Sequence, residues 1–254
     1  MDKTLIKGMK VLETLADFDE PASVSELAEA CGLTRSNAHR VLATFQTLGY
    51  VAQDSRSRRY HMTLRVWSLG SKAVERLDFK QEARPFLDRL NEMTGETTHL
   101  SILDDIDVIY IDKLEARHAV RTFTRIGGRA PAICVATGKA ALAFSRPERI
   151  DRAIAGIEKF TDSTVTDPSA LRAELDAVRE QTFAVNRGEW RGGAYGLAVP
   201  IFSALDEVVA AIGISAPRDR MAEDRIEALT DEIKTIGRQL SVRLGASARH
   251  GGPT

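Results

Sequence analysis

The segment "LTRSNAHRVLATFQTLGYV", residues 33–51, decides how the N-terminal part of this 254-residue chain is read. Steps of three and four place Ala38, Val41, Leu42, Phe45 and Leu48 on one helical face and Arg35, Ser36, His39, Arg40 and Ala43 on the other. Thr34 stands where a helix takes its N-cap, and Gly49 where the chain needs a left-handed exit. The preceding "SVSELAEACG" (23–32) sets Ser23 three residues before Glu26, the spacing of a capping box, turns Leu27 and Ala28 inward and stops at Gly32. A two-turn helix, a glycine turn and a second helix with a polar outer face predict a helix-turn-helix.

Before this motif, a helix is expected from Leu5 to about Asp17, with Leu5, Met9, Leu12 and Ala16 as its buried stripe and Pro21 as the break after it. After it, "YVAQDSRSRRYHM" (50–62) alternates apolar and polar residues on both sides of "DSRSRR", which predicts a hairpin with a cationic tip. Such a wing can reach phosphates or a minor groove while the helix meets base edges in the major groove. DNA is therefore the candidate partner of the polar helical face.

Charge supports that placement. The net charge of −1 argues against a generic polyanion binder, yet residues 11–30 hold six acids and no Lys or Arg. Residues 31–60, by contrast, hold Arg35, Arg40, Arg56, Arg58 and Arg59 against the single acid Asp54. With 43% apolar residues the chain can build real cores. The longest apolar runs, such as "VVAAIGI" (208–214), are far shorter than the roughly 20 residues that span a bilayer, and no basic and apolar leader opens the chain. The expectation is a cytoplasmic protein with no membrane partner. Cys31 and Cys134 lack the spacing of a disulfide framework or zinc site and are read as reduced thiols.

Helical spacing resumes over residues 63–76 through Leu64, Trp67, Leu69, Ala73, Val74 and Leu77, and again from Gln81 to Met93. From Thr97 the texture turns to strands: "THLSILD", "DVIYIDKLE" and "AVRTFTR", then "YGLAVPIFS" and "VVAAIGISAP". "ICVATGKAALAFS" and "DPSALRAELDAVREQ" read as helices between them, and a last amphipathic helix runs from Ala222 to Leu244. The fold class is α+β: a winged helix-turn-helix over 1–62, a linker helix over 63–80, a domain with a mostly antiparallel sheet over 81–246, and a disordered tail over 247–254.

An enzyme is not indicated. There is no GxSxG elbow and no HExxH, and "TGKA" (137–140) fails as a phosphate loop because Ala140 replaces the metal-binding hydroxyl and Ile133 the first glycine. The histidines at 39, 61, 99, 118 and 250 show no metal spacing, so no metal or other cofactor is expected. His99, on a strand, reads as a structural histidine.

"SVSELAEACGLTRSNAHRVLATFQTLGYV" resembles the DNA-binding half of IclR-type bacterial transcription regulators. "ARPFLDRLNEMTGETTHLSILDDIDVIYIDKLE", "RIGGRAPAICVATGKAALAF", "TDPSALRAELDAVREQTFAV" and "GLAVPIFSALDEVVAAIGISAP" are similar to successive signatures of that family's effector-binding domain, so the likeness covers about residues 4–246. It implies a GAF-like C-terminal domain, assembly as a homodimer or homotetramer, and a ligand-responsive repressor or activator of a catabolic operon acting at a palindromic double-stranded operator. The DNA face it implies is Thr34, Arg35, Ser36, Asn37, His39 and Arg40, with wing residues Arg56, Arg58 and Arg59. The effector pocket it implies comprises Thr122, Ala130, Cys134, Ala136, Thr137, Ala194, Gly196, Gly213 and Ser215. Thr137, Ser215 and the backbone N–H groups where a helix follows Pro131 would be the polar anchors for a small carboxylate. Where many relatives carry Cys or Ser this chain has Gly196, and where they carry a hydroxyl it has Gly213. Those two departures favour a bulkier, aromatic acid over a very small keto acid. The alternatives are a DNA-binding oligomer with no small-molecule switch and a small-molecule hydrolase.

Overall fold

The computed structural model describes residues 2–74, 79–122 and 124–246. The chain divides into two compact units, residues 1–77 and 78–254, so the division falls inside the expected 63–80 linker. The expected tail at 247–254 lies outside the described residues.

The first unit opens with α1 (Lys3–Asp17), whose N-cap Asp2 accepts from the N–H groups of Thr4 and Leu5. Its buried residues are Val11 and Leu15, while Leu5 is 64% and Met9 45% exposed. The expected stripe is thus rotated. α1 carries apolar side chains around much of its circumference, and periodicity alone does not say which of them the domain covers. α2 (Val24–Cys31) has the full capping box between Ser23 and Glu26 and ends on Gly32 at φ 65°. α3 (Arg35–Thr47) is capped by the Thr34 hydroxyl, buries Ala38 and Leu42, and leaves Leu48 at its end half exposed. The wing follows as β1 (Val51–Gln53) and β2 (Tyr60–Met62). Tyr60 is buried with Val11, Leu15, Leu27, Cys31, Leu42 and Val51, and its backbone pairs with Ala22, which ties the wing to the loop before α2. α4 (Leu64–Val74) completes this unit and exposes Leu64, Trp67 and Leu69.

The second unit begins with α5 (Phe79–Thr94) and is built on a six-stranded antiparallel sheet. Its strands are β3 (Thr97–Asp104), β4 (Asp107–Leu114), β5 (Arg129–Pro131), β6 (Ala184–Arg187), β7 (Ala194–Phe202) and β8 (Val208–Pro217), in the order β5-β4-β3-β8-β7-β6. Residues 119–122 and 124–125 of the expected strand "AVRTFTR" form no strand, and the short β5 and β6 stand at the sheet edges instead. α5 and α9 (Glu223–Arg243) cover one face. The approach of α9 is close enough that a Cβ on Gly237 would lie 2.6 Å from Val199 Cγ2. The other face carries α6 (Ala136–Leu142), backed by α7 (Pro147–Ala155) and α8 (Pro168–Gln181) in one apolar core. Among the described residues no helix is long and apolar enough to cross a membrane.

Candidate functional site

Two places carry chemistry. On the first unit, Thr34, Arg35, Ser36, His39 and Arg40 are exposed along one side of α3, with Asn37 half-buried among them. Asn37 joins the cap through its N–H to Thr34 Oγ1 and accepts from the Arg40 guanidinium at 3.3 Å. In the wing, Asp54 organises the turn by accepting from the N–H groups of Arg56 and Ser57 and from the Ser57 hydroxyl, and these bonds lower its pKa. That leaves Arg56 and Arg58 exposed at the tip. Arg59 is placed differently: it forks onto the Glu26 carboxylate at 2.7–2.8 Å and donates to the Pro21 carbonyl at 2.5 Å. Bonds from Ser23 first, then the Arg59 fork, hold Glu26 down to about 2. Arg59 therefore braces the wing against α2.

On the second unit, a cavity of about 290 Å³ lies on the α6 face of the sheet. Of the nine positions expected there, Thr122, Ala136, Thr137, Ala194, Gly196 and Ser215 line it, and Ala130, Cys134 and Gly213 do not. Ala130 and Cys134 belong to the apolar core. Gly213 faces a closed space: its Cβ would sit 2.6 Å from both Ala198 Cβ and the Leu197 carbonyl oxygen. Of the two glycines, then, only Gly196 gives room to the cavity. The helix expected after Pro131 starts one turn late, since a 3-10 turn (Ala132–Cys134) intervenes before α6.

Ser215 is also not a free anchor, because its hydroxyl lies 2.6 Å from that of Thr122. Among the described residues lining the cavity, the buried side-chain atoms with no hydrogen-bond partner are instead Thr137 Oγ1, Thr124 Oγ1 and His99 Nδ1. His99 is paired in register with Gly213 on β8 and meets Tyr110 edge-on at 5.1 Å. It was legible only as a strand histidine, since nothing in the sequence says that the cavity opens over that strand. Burial lowers its pKa to about 4, with Lys113 adding to the shift, and pushes the Tyr110 phenol up to about 12.

The outer wall is the loop carrying Trp190, Arg191, Gly192 and Gly193, with Arg191 4.3 Å over the Trp190 ring. Its base is fastened. Asn186 donates to the Cys134 carbonyl at 2.5 Å and accepts from Gly188 N–H at 2.6 Å, and Thr161 and Thr164 donate to the Gly188 and Glu189 carbonyls. Beneath it, the ammonium of Lys139, 1% exposed, lies 2.6 Å from carboxylate oxygens of both Glu174 and Glu189. The lysine that looked like part of a phosphate loop is the centre of a buried ion triad. Burial raises the Glu189 pKa and, with the Glu189 charge assisting, pushes the Cys134 thiol up to about 12.

His99 gives a stability test. Its folded pKa of about 4 lies below the ordinary 6.5, so between those values the unfolded chain binds more protons and stability falls as pH drops. From pH 7.5 to 5 this site accounts for about 2 kcal/mol, read by urea unfolding. His99→Phe should remove that component, and an unchanged pH slope in the variant would show that the burial has no such cost.

Comparison with known proteins places both halves. The IclR helix-turn-helix domain matches residues 4–55, and the bacterial transcriptional regulator IclR C-terminal domain matches residues 71–242. The chain is 32% identical over 244 residues to the HTH-type transcriptional regulator KdgR of Escherichia coli, covering 95% of this chain and 92% of that one. It is 30% identical to the E. coli HTH-type transcriptional repressor AllR, covering 97% and 92%. Among solved structures it resembles the Thermotoga maritima IclR (TM-score 0.74, 29% identity, 95% and 98% covered). It also resembles an IclR homolog from Microbacterium hydrocarbonoxydans complexed with 4-hydroxybenzoate (TM-score 0.80, 26% identity, 98% and 100% covered). These relatives are regulators and not enzymes. With a capped helix-turn-helix in the first unit and family models matching both halves, the chain belongs to the IclR family of DNA-binding bacterial transcription regulators.

Proposed function

We propose that the chain is a ligand-responsive repressor or activator of a catabolic operon, working in the cytoplasm, whose effector is a small carboxylate of single-ring size. The observation that carries the ligand half is the cavity, where His99 Nδ1, Thr124 Oγ1 and Thr137 Oγ1 are buried without a protein partner. Arg121 and Arg191 at its exposed rim favour an anionic ligand, Arg121 through a guanidinium that it shares with the exposed Glu115 at 3.0 Å, a solvent-screened pair that a ligand carboxylate can replace. Its volume equals about ten water-sized volumes, which suits a ring acid better than a two- or three-carbon acid. The neighbour solved with 4-hydroxybenzoate supports the same class.

For the DNA half, the residues assigned to base edges and adjoining phosphates are Thr34, Arg35, Ser36, Asn37, His39 and Arg40, with Arg56 and Arg58 on phosphate. Apolar side chains left exposed on the first unit, Leu5, Ile6 and Met9 of α1 and Leu64, Trp67 and Leu69 of α4, support assembly with a second copy as a dimer or tetramer. A symmetric dimer fits a palindrome whose half-sites lie about 34–36 Å apart per helical turn.

The test is a mobility shift on the chain's own upstream DNA at fixed salt, with and without aliphatic and aromatic acids. Arg35→Ala and Arg40→Ala should each weaken specific binding about 5- to 150-fold, and one acid should shift the wild-type affinity. Wild-type affinity for specific DNA in both arginine variants would overturn the assignment of the face.

A further inference from the structure

The cavity is polarised from its rim to its floor. Arg121 and Arg191 are exposed, Arg121 in a solvent-screened pair with the exposed Glu115 that a ligand carboxylate can replace, whereas Thr137 is 1% and His99 5% exposed. A carboxylate is best left at the cationic, hydrated rim, because burying it would cost more than the floor can return. The floor offers no cation in exchange: the nearby ammonium of Lys139 is taken up by Glu174 and Glu189, and Asn186 is occupied on both sides of its amide. What the floor does offer is a hydroxyl and a ring nitrogen with no partner.

Resting on the effector reading above, we infer that the ligand carries a second polar group, an uncharged hydroxyl remote from its carboxylate, that docks between His99 Nδ1 and Thr137 Oγ1. His99 and Thr137 are then the residues that set specificity. A hydroxyl suits this place because it both donates and accepts, and so can complement a ring nitrogen and a threonine hydroxyl together. Burial keeps the imidazole neutral at physiological pH, so the floor selects a neutral group and does not compete for the carboxylate. Left empty or filled by a methyl group, the same floor keeps two buried polar atoms unpaired, and sites of that kind discriminate strongly against the analogue lacking the hydroxyl.

The experiment is titration calorimetry on the full chain with 3- and 4-hydroxybenzoate and their methyl isosteres, 3- and 4-methylbenzoate. Wild type should bind one hydroxy acid about tenfold or more tighter than its methyl counterpart. In Thr137→Val, which preserves shape, and in His99→Phe, that ratio should fall to within about threefold while the methyl acid still binds. The ratio is the readout, since a merely structural loss lowers both affinities together. Equal binding of hydroxy and methyl acids to wild type, or a ratio that survives both substitutions, overturns this inference alone. Failure of every ring acid to bind overturns the ring-acid effector reading and takes this inference with it.

Discussion

Lys139→Met is expected to cost the second unit about 3–5 kcal/mol at pH 7.5, the typical loss when one partner of a buried ion pair is removed. Lys139 sits within 2.6 Å of Glu174 and Glu189, and Glu189 is itself buried. Glu174 is about a third exposed and can turn to water, so the penalty concentrates on Glu189. Its pKa is already raised by burial and loses the ammonium that opposes the rise. A carboxyl with a raised folded pKa binds more protons in the native state, so stability declines as pH rises through that range and returns on acidification. Unfolding of Lys139→Met at pH 5.5 should accordingly recover part of the loss, and Lys139→Met with Glu189→Gln should recover more at pH 7.5. If the single variant unfolds like wild type at pH 7.5, the triad is not holding this corner of the domain. The same loop bears Trp190 and Arg191, so ligand affinity should fall with the single variant.

The second large effect belongs to the glycine beside it. A Cβ at Gly138 would lie 2.1 Å from the Ala132 carbonyl oxygen and 2.4 Å from Ala132 Cα, both backbone atoms with no rotamer to yield. Gly138→Ala must push α6 away from the 3-10 turn, and about 3 kcal/mol or more of destabilisation is expected. Gly192→Ala is the control. Nothing lies within 4 Å of its Cβ, so thermal melts should place it within about 0.5 kcal/mol of wild type. Equal melting of the two variants would show that α6 has slack the geometry does not reveal.

What could be read from the sequence was what is local. Ser23, Gly32, Thr34 and Gly49, and Glu26 in its capping-box role, act within four residues of themselves, and the helix-turn-helix they define stands as expected. The long strands β3, β4, β7 and β8 and the helix α9 were likewise legible from period. The edge strands β5 and β6 were missed, because three or four residues hold too little pattern to separate from a loop, and the nine-residue α7 was missed as well. In "AVRTFTR" an alternation without a strand misled in the opposite direction. Six of the nine positions expected from family likeness line the cavity, yet His99, Tyr110 and Asn186, which line it too, were not among them. They enter through pairings such as His99 with Gly213, 114 residues away, and no local pattern encodes which face of a sheet is left uncovered. Arg59 teaches the same about charge: its partner Glu26 is 33 residues away, so a run of arginines looked uniform when one of them was already engaged.

The Cys134 thiol, pushed up to about 12 by burial and by the carboxylate of Glu189, stays protonated at neutral pH, so the reactive thiolate is scarce. Peroxides and soft electrophiles react with the thiolate, so burial makes this sulfur a poor target within the core of the second unit. A cell under oxidative stress could not write its state onto the regulator through Cys134. Under the ligand-responsive reading proposed above, the output of the second unit would answer to its effector and not to oxidation of Cys134.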